Sequence, residues 1–449
     1  MLFRESPPLL RPVNLHVLAD LDAAARAALL RRAEADVAPF LDRVRSILAA
    51  VREEGDLALA RFALAFDKAP VAADAIAATA ADFDRAFAAL APEVVAAVEF
   101  AADSIRRFHE DQKPAEMWLH EIRPGAFAGD RFRPIPSVAC YVPRGKGAFP
   151  SVTMMTTIPA VVAGVKEIVV VTPPGPDGAI DAATLVAARL AGVTKVCKAG
   201  GAAGIAAAAY GTATVPKSAK VVGPGGPFVV AAKRLLADVV DTGVPAGPSE
   251  AIILADMGTD GALAALDLLI EAEHGPDSSA YLVTPDRAVA DAALAALPGY
   301  WAKMGPQRTE FSNAVLSGAH GGIVLAPSME AAIAFVNDFA PEHLEILSAE
   351  PFAHLGRIEH AGEILLGEHT PITIANFVLG PNAVLPTGRA ALTHSPLSVF
   401  DFMKRSSVGY VTAAGYRALA RQARVLATYE GFDAHANAVS EIRDALLKR

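Results

Sequence analysis

The spacing of apolar and polar positions along this chain changes twice. Over the first hundred residues Ala and Leu alternate with Arg, Asp and Glu at helical spacing, as in LDAAARAALLRRAEADVAPFLDRVRSILAAVREEGDLALARFALAFD, and the pattern runs to about Arg107. It predicts a helical beginning. From Ser137 short β-branched runs take over: SVACYVP, EIVVVTPP, KVCKAGG and KVVGPGG, each closed by Gly or Pro and separated by Ala-rich helical stretches. Strand and helix alternating at this spacing build right-handed βαβ units on a parallel sheet. A second set follows in EAIILAD, SAYLVTP, GGIVLA and GEILLGE, interleaved with ALAALDLLIEAEH and MEAAIAFVND, and predicts a second α/β lobe. The segment GVPAGPSE crosses between the sets, and the cleft is expected at the carboxyl ends of the strands. After about Ser398 the chain reads as helical again, and a tail this short must pack on something, another subunit included.

Length and composition narrow the class. The 449 residues carry 40 Lys plus Arg against 49 Asp plus Glu, a net charge of −9 that argues against a basic nucleic-acid binder. With 53% hydrophobic, 20% charged and 6% aromatic residues, the core is expected to be Ala, Leu and Val. The chain is too long for one hydrophobic core, so two large lobes are expected. Two cysteines, Cys140 and Cys197, are too few for a disulfide framework and form no CxxC pair. MLFRESPPLLRP is charged and proline-rich where a signal peptide is apolar, so a cytoplasmic location is expected. The longest uncharged stretch, about Ala199 to Pro216, is Gly and Ala and reads as loop and helix, with no membrane span.

Four segments could carry chemistry. Glu271 and His274 lie three apart at the end of ALDLLIEAEH, on one helix face, and could share a metal ion; alone, the spacing equally describes an acidic last turn with a solvated histidine. In Ala340-Pro341-Glu342-His343 two neighbouring titratable groups could divide proton transfer between them, against the plain alternative of a surface turn. The loops GPGGP, PAGPSE and TPPGP could offer backbone N–H groups to phosphates, although no GxGxxG or GxxxxGK[ST] fingerprint is present. Glu430 and His435 stand in the tail within YEGFDAH, where a lone histidine is ordinarily a surface group.

In their order along the chain, YVPRG, Ser151, the GG of KAGGAAG, VVGPGG, PAGPSE, EAEHGPDS, APEHL, LGPNAVLPT, DFMKR and YEGFDAHANAV resemble the histidinol dehydrogenase family from about residue 12 to the C-terminus. The resemblance implies an NAD-dependent, zinc-dependent enzyme that oxidises an amino alcohol through the aldehyde to the carboxylate. It implies Glu342 as the group that activates water and His343 as proton acceptor. Carried over position by position, zinc ligands fall on Glu271, His274, Asn376 and His435. Substrate contacts fall on Ser151, Ser249, Glu342, Asn376, Ala383 and Glu430, and cofactor contacts on Tyr141, Ala203 and Gly226. The tail that holds the last ligand comes from the partner subunit in the family, which implies an intertwined homodimer with shared sites.

The expected organisation is a helical segment over 1–35, a first Rossmann-like lobe over 36–140 plus 249–397 with the metal and catalytic residues, a second over 141–248 binding NAD, and a helical tail over 398–449. Several positions depart from the family pattern. Glu271 replaces a Gln and Asn376 an Asp, so the ligand set keeps a formal charge of −1 and zinc is expected to be retained. Ala383 replaces a substrate-contacting His, which turns the expectation toward a paralogue with a substrate other than L-histidinol. Ala203 and Gly226 replace amides that the family offers to NAD, each worth about 1 kcal/mol. Arg144 and Lys146 place cations beside the expected cleft, suited to an anionic substrate group or the cofactor pyrophosphate, or simply solvated. The expected activity is oxidation of a primary alcohol to its acid. The alternatives are a catalytically inactive or binding-only homologue, and a two-electron alcohol dehydrogenase that releases aldehyde.

Overall fold

The computed structural model describes residues 10–32, 37–145 and 147–447. Two compact units divide the chain: residues 1–112 with 135–402, and residues 113–134 with 403–449.

The first unit contains two parallel sheets. The four-stranded sheet runs Val196–Lys198, Glu167–Thr172, Ser137–Tyr141, Lys220–Val222. In chain order that is 3-2-1-4, so the connections reverse direction between Ser137–Tyr141 and Lys220–Val222. A crevice opens there because the loops after the two strands diverge to opposite faces. The six-stranded sheet runs Leu15–Val17, Gly321–Leu325, Ser279–Thr284, Glu250–Ala255, His343–Leu347, Glu363–Leu366, and reverses between Glu250–Ala255 and His343–Leu347. Among the described residues no helix is long and apolar enough to cross a membrane.

Ala-rich helices let these layers approach closely. Ala202, Ala203 and Ala206 of helix Gly201–Tyr210 share one core with Val169 and Val171 of the four-stranded sheet and with Val44, Ile47, Leu48 and Val51 of helix Leu41–Glu54. That corrects the expected lobe boundary at 140: the helix Leu41–Glu54 and the strand Ser137–Tyr141 belong with the four-stranded sheet. The cause is burial, since the apolar stripe of an early helix can cover either lobe and its sequence does not say which.

Two further expectations change. The 1–35 segment is not wholly helical, because Leu15–Val17 adds an edge strand beside Gly321–Leu325 ahead of helix Ala23–Leu29. The second unit holds an antiparallel sheet, Met403–Val411 with Ala126–Pro134 and Met117–Arg123, so the sheets are not all parallel and the tail begins with a nine-residue strand before helix Ala413–Tyr429. Met403–Val411 escaped notice because Lys404, Arg405, Ser406 and Ser407 give it no apolar alternation.

Candidate functional site

The reversal of the four-stranded sheet positions a cavity of about 610 Å³. Its walls include Pro143, Arg144, Pro224, Gly225 and Gly226 from the loops beyond that sheet's carboxyl edge, and Ser249, Ser278, Glu342 and His343 from the amino edge of the six-stranded sheet. The expectation of a cleft at the carboxyl ends thus holds for one sheet and is reversed for the other. At the amino edge of the six-stranded sheet, side chains at the first residues of adjacent strands converge.

Glu342 follows a chain reversal at Ala340, which adopts left-handed φ 51° after helix Met329–Phe339. Its Oε2 accepts a hydrogen bond from the Glu250 backbone N–H at 2.9 Å. His343 stands opposite Glu363 in register, and its Nδ1 lies 2.9 Å from Glu363 Oε2. Nδ1–H donated to that carboxylate turns Nε2 into the site, 4.0 Å from both Glu342 Oε1 and Glu271 Oε1. Glu342, His343 and Glu271 are all buried. Burial pushes the Glu342 carboxyl up to about 8, with Glu271 and Glu250 adding to the rise and His343 opposing it. Burial pulls the His343 imidazole down, but Glu271, the Glu363 hydrogen bond and Glu342 overcome it and raise the group to about 9. The two form a coupled pair that exchanges protons above neutral pH, between about 8 and 9.

Glu271, in the last turn of helix Gly261–Ala272, has a carboxyl that burial pushes up and that His274, His343, Asn376 and Ser249 together hold below its ordinary range. His274 Nδ1 lies 3.0 Å from the Ile270 carbonyl and 3.2 Å from Glu271 Oε2, so the tautomer that satisfies them leaves the Nε2 lone pair open. Asn376 donates from Nδ2 to Glu271 Oε1 at 3.0 Å, and its Oδ1 is buried without a hydrogen-bond partner. A buried carboxylate, an open imidazole nitrogen and an orphaned amide oxygen side by side are donors that suit a divalent cation. Among the described residues no three His, Cys, Asp or Glu side chains converge on one ion. Glu271, His274 and Asn376 are therefore an incomplete set that needs a fourth donor.

The remaining expected residues fall in three places. Ser151, in the first turn of helix Pro150–Ala163, lines the cavity with Ser249, Arg144, Gly226 and Ala383. Tyr141 is buried, its hydroxyl accepting from the Gly201 N–H at 3.1 Å, and Ala203 lines a second cavity beside that glycine turn. Glu430 and His435 lie in the second unit, Glu430 closing helix Ala413–Tyr429 and His435 on helix Asp433–Asn437 with its ring 5.2 Å from Phe432. Lys146 lies outside the described residues. Sequence reasoning missed Glu363, which orients His343, and Glu250, whose backbone holds Glu342 and whose carboxylate accepts from Arg32 Nε at 2.8 Å and the Gly388 N–H at 2.7 Å. Glu363 carried no local signal, since only strand register sets it against His343.

Fold and site define a doubly wound α/β protein with a titratable glutamate–histidine pair in its switch-point cleft. The chain belongs to the histidinol dehydrogenase family: it matches the sequence model described as "Histidinol dehydrogenase" over residues 30–443. It is 65% identical over 435 residues to "Histidinol dehydrogenase homolog 2" of Mesorhizobium japonicum, covering 97% of this chain and 99% of that one. It is 48% identical to "Histidinol dehydrogenase" of Synechocystis sp., covering 93% and 96% of the two chains. The crystal structure of histidinol dehydrogenase from Elizabethkingia anophelis superposes with a TM-score of 0.91 at 30% identity, covering 97% and 99%. Membership in this family indicates an NAD-dependent oxidoreductase.

Proposed function

We propose that this protein oxidises a primary alcohol through the aldehyde to the carboxylate, as a homodimer with shared sites in which the partner's tail supplies the fourth metal donor. The observation that carries this reading is the buried Glu342–His343 pair facing Glu271 at the switch-point cavity, because a four-electron oxidation needs two proton acceptors at one carbon. When bound, zinc held by Glu271, His274 and Asn376 would polarise and fix the substrate oxygen, and NAD would take up the hydrides. His343, its Nδ1–H tied to Glu363, presents Nε2 to the alcohol proton. Glu342 Oε1 takes a proton from the water that adds to the aldehyde, while Oε2 stays anchored on the Glu250 N–H. Ser151 and Ser249 orient the polar end of the substrate. Ala383 offers that end no hydrogen bond, which supports an alcohol other than L-histidinol as the preferred substrate.

The test is NADH formed per alcohol consumed, across L-histidinol and a panel of amino alcohols, diols and anionic alcohols. Two NADH per alcohol is expected. One NADH with free aldehyde would show a two-electron enzyme, and silence across the panel with metal bound would show a binding protein. His343→Asn is expected to lower alcohol oxidation at least 100-fold with metal retained, and Glu342→Gln to slow mainly the aldehyde step.

A further inference from the structure

The second cavity, of about 280 Å³, lies beyond the carboxyl end of Val196–Lys198 at the Gly200–Gly201 turn. Its walls include Phe62, Phe66 and Phe228, and the first two rings stack at 5.4 Å between centroids with planes 7° apart. Phe66 is 57% exposed, so an apolar planar surface stands open at the mouth. One carboxylate lines this wall, that of Asp67, directly after Phe66 in the chain. It reaches the glycine turn: Asp67 Oδ2 would lie 3.2 Å from a β-carbon at Gly200. Burial pushes it up to about 6, with Arg144 opposing, so it is mainly ionised at neutral pH. No described residue donates it a hydrogen bond. The one cation in the wall, Arg43, sits over the Phe228 ring with its guanidinium carbon 5.2 Å from the centroid.

An aromatic-walled recess with one open acceptor suits a planar base carrying a sugar diol. Two neighbouring hydroxyls can both donate to one carboxylate, and a phosphate on either would meet its charge. A carboxylate here would be an unfavourable neighbour for phosphate, which favours the uncharged adenosine half of a dinucleotide over its pyrophosphate. We propose that Asp67 is the residue that makes this enzyme select NAD over NADP, by accepting the ribose hydroxyls of adenosine bound in this recess and repelling a 2′-phosphate. The inference rests on the dehydrogenase reading above and adds to it a specificity residue outside the catalytic cluster.

The test is direct titration of the purified holoenzyme with NADH and with NADPH, followed by nucleotide fluorescence and needing no alcohol substrate. Wild type is expected to bind NADH at least 10-fold more tightly than NADPH. Asp67→Asn, which keeps the shape and removes the charge, is expected to weaken NADH several-fold, tighten NADPH, and cut the preference at least 10-fold. Asp67→Glu, a control that keeps the charge, should retain most of it, and equal melting temperatures would show that all three chains are folded. Equal affinity of wild type for the two nucleotides, or an unchanged preference in folded Asp67→Asn, overturns the inference while leaving the dehydrogenase reading in place. Binding of neither nucleotide overturns both.

Discussion

At the scale of single residues, the site is a set of carboxylates that differ in what offsets their burial. Glu250 has a cation: Arg32 reaches it from the N-terminal segment, with both side chains buried and the guanidinium 3.3 Å from the Phe339 ring centroid. Arg32→Met would strand that charge behind Glu342, at a cost of about 3–5 kcal/mol. A fall in the chemical-denaturation midpoint is the expected result, and adding Glu250→Gln should recover part of it. Among the described residues no cation faces Glu345. It shares the face of His343 and is buried, and burial, reinforced by Asp267 and opposed by the Ile372 backbone N–H, pushes it up to about 9. It is therefore held neutral beside Asp267 in the folded protein. In the unfolded chain it ionises near 4.3, so the native state binds the extra proton and loses stability as pH rises from there toward 9. Glu345→Gln removes that ionisation. Relative to wild type it is expected to be more stabilising at pH 8 than at pH 5 by about 4 kcal/mol, checked by denaturation at the two pH values.

At the scale of elements, strand ends and helix ends do the positioning. Glu250 and His343 begin adjacent strands, Glu271 ends a helix, and Asn376 follows the short turn Ile372–Ile374, so short chain segments bring four polar side chains together. In the second unit a different junction carries the structure. Thr412 caps helix Ala413–Tyr429 by accepting from the Gly415 N–H at 3.1 Å, and its own N–H donates to the Gly125 carbonyl at 2.8 Å. A β-carbon at Gly415 would lie 2.3 Å from that carbonyl, where only backbone could yield. Gly415→Ala is expected to cost about 1–3 kcal/mol locally and to speed amide exchange across Met403–Val411, with the parallel sheets of the first unit unaffected.

At the scale of the whole molecule, the second unit leaves Trp118, Ile122, Val425, Leu426 and Tyr429 exposed, Tyr429 at 91%, an apolar surface that supports the proposed dimer. If each site draws His274 from one subunit and His435 from the other, the two lesions complement. His274→Ala and His435→Ala homodimers are each expected to lack bound metal and activity. Unfolding and refolding an equal mixture should return about a quarter of wild-type activity, since half of the dimers are then hybrids and each hybrid keeps one intact site. No recovery from the mixture would place both histidines in one subunit's site or neither.

Much of this was legible in the sequence, because most strands of the two parallel sheets carry short apolar runs, as in SVACYVP, EIVVVTPP and EAIILAD, a signal burial itself imposes. The ordered motifs also marked the cavity residues from Ser151 to Ala383. The polar strand Met403–Val411 and the edge strand Leu15–Val17 were not legible, since backbone pairing holds them where no apolar period does. By itself, then, the sequence determined the alternation of elements, the buried runs and the identity of the titratable groups, all of which follow from local period and side-chain chemistry. Only the tertiary structure decided which of those groups meet. Strand register set Glu363 on His343, sheet order opened the cavity at the amino edge of one sheet and the carboxyl edge of the other, and packing assigned helix Leu41–Glu54 to the four-stranded sheet. These are contacts between residues far apart in the chain, and no local pattern encodes them.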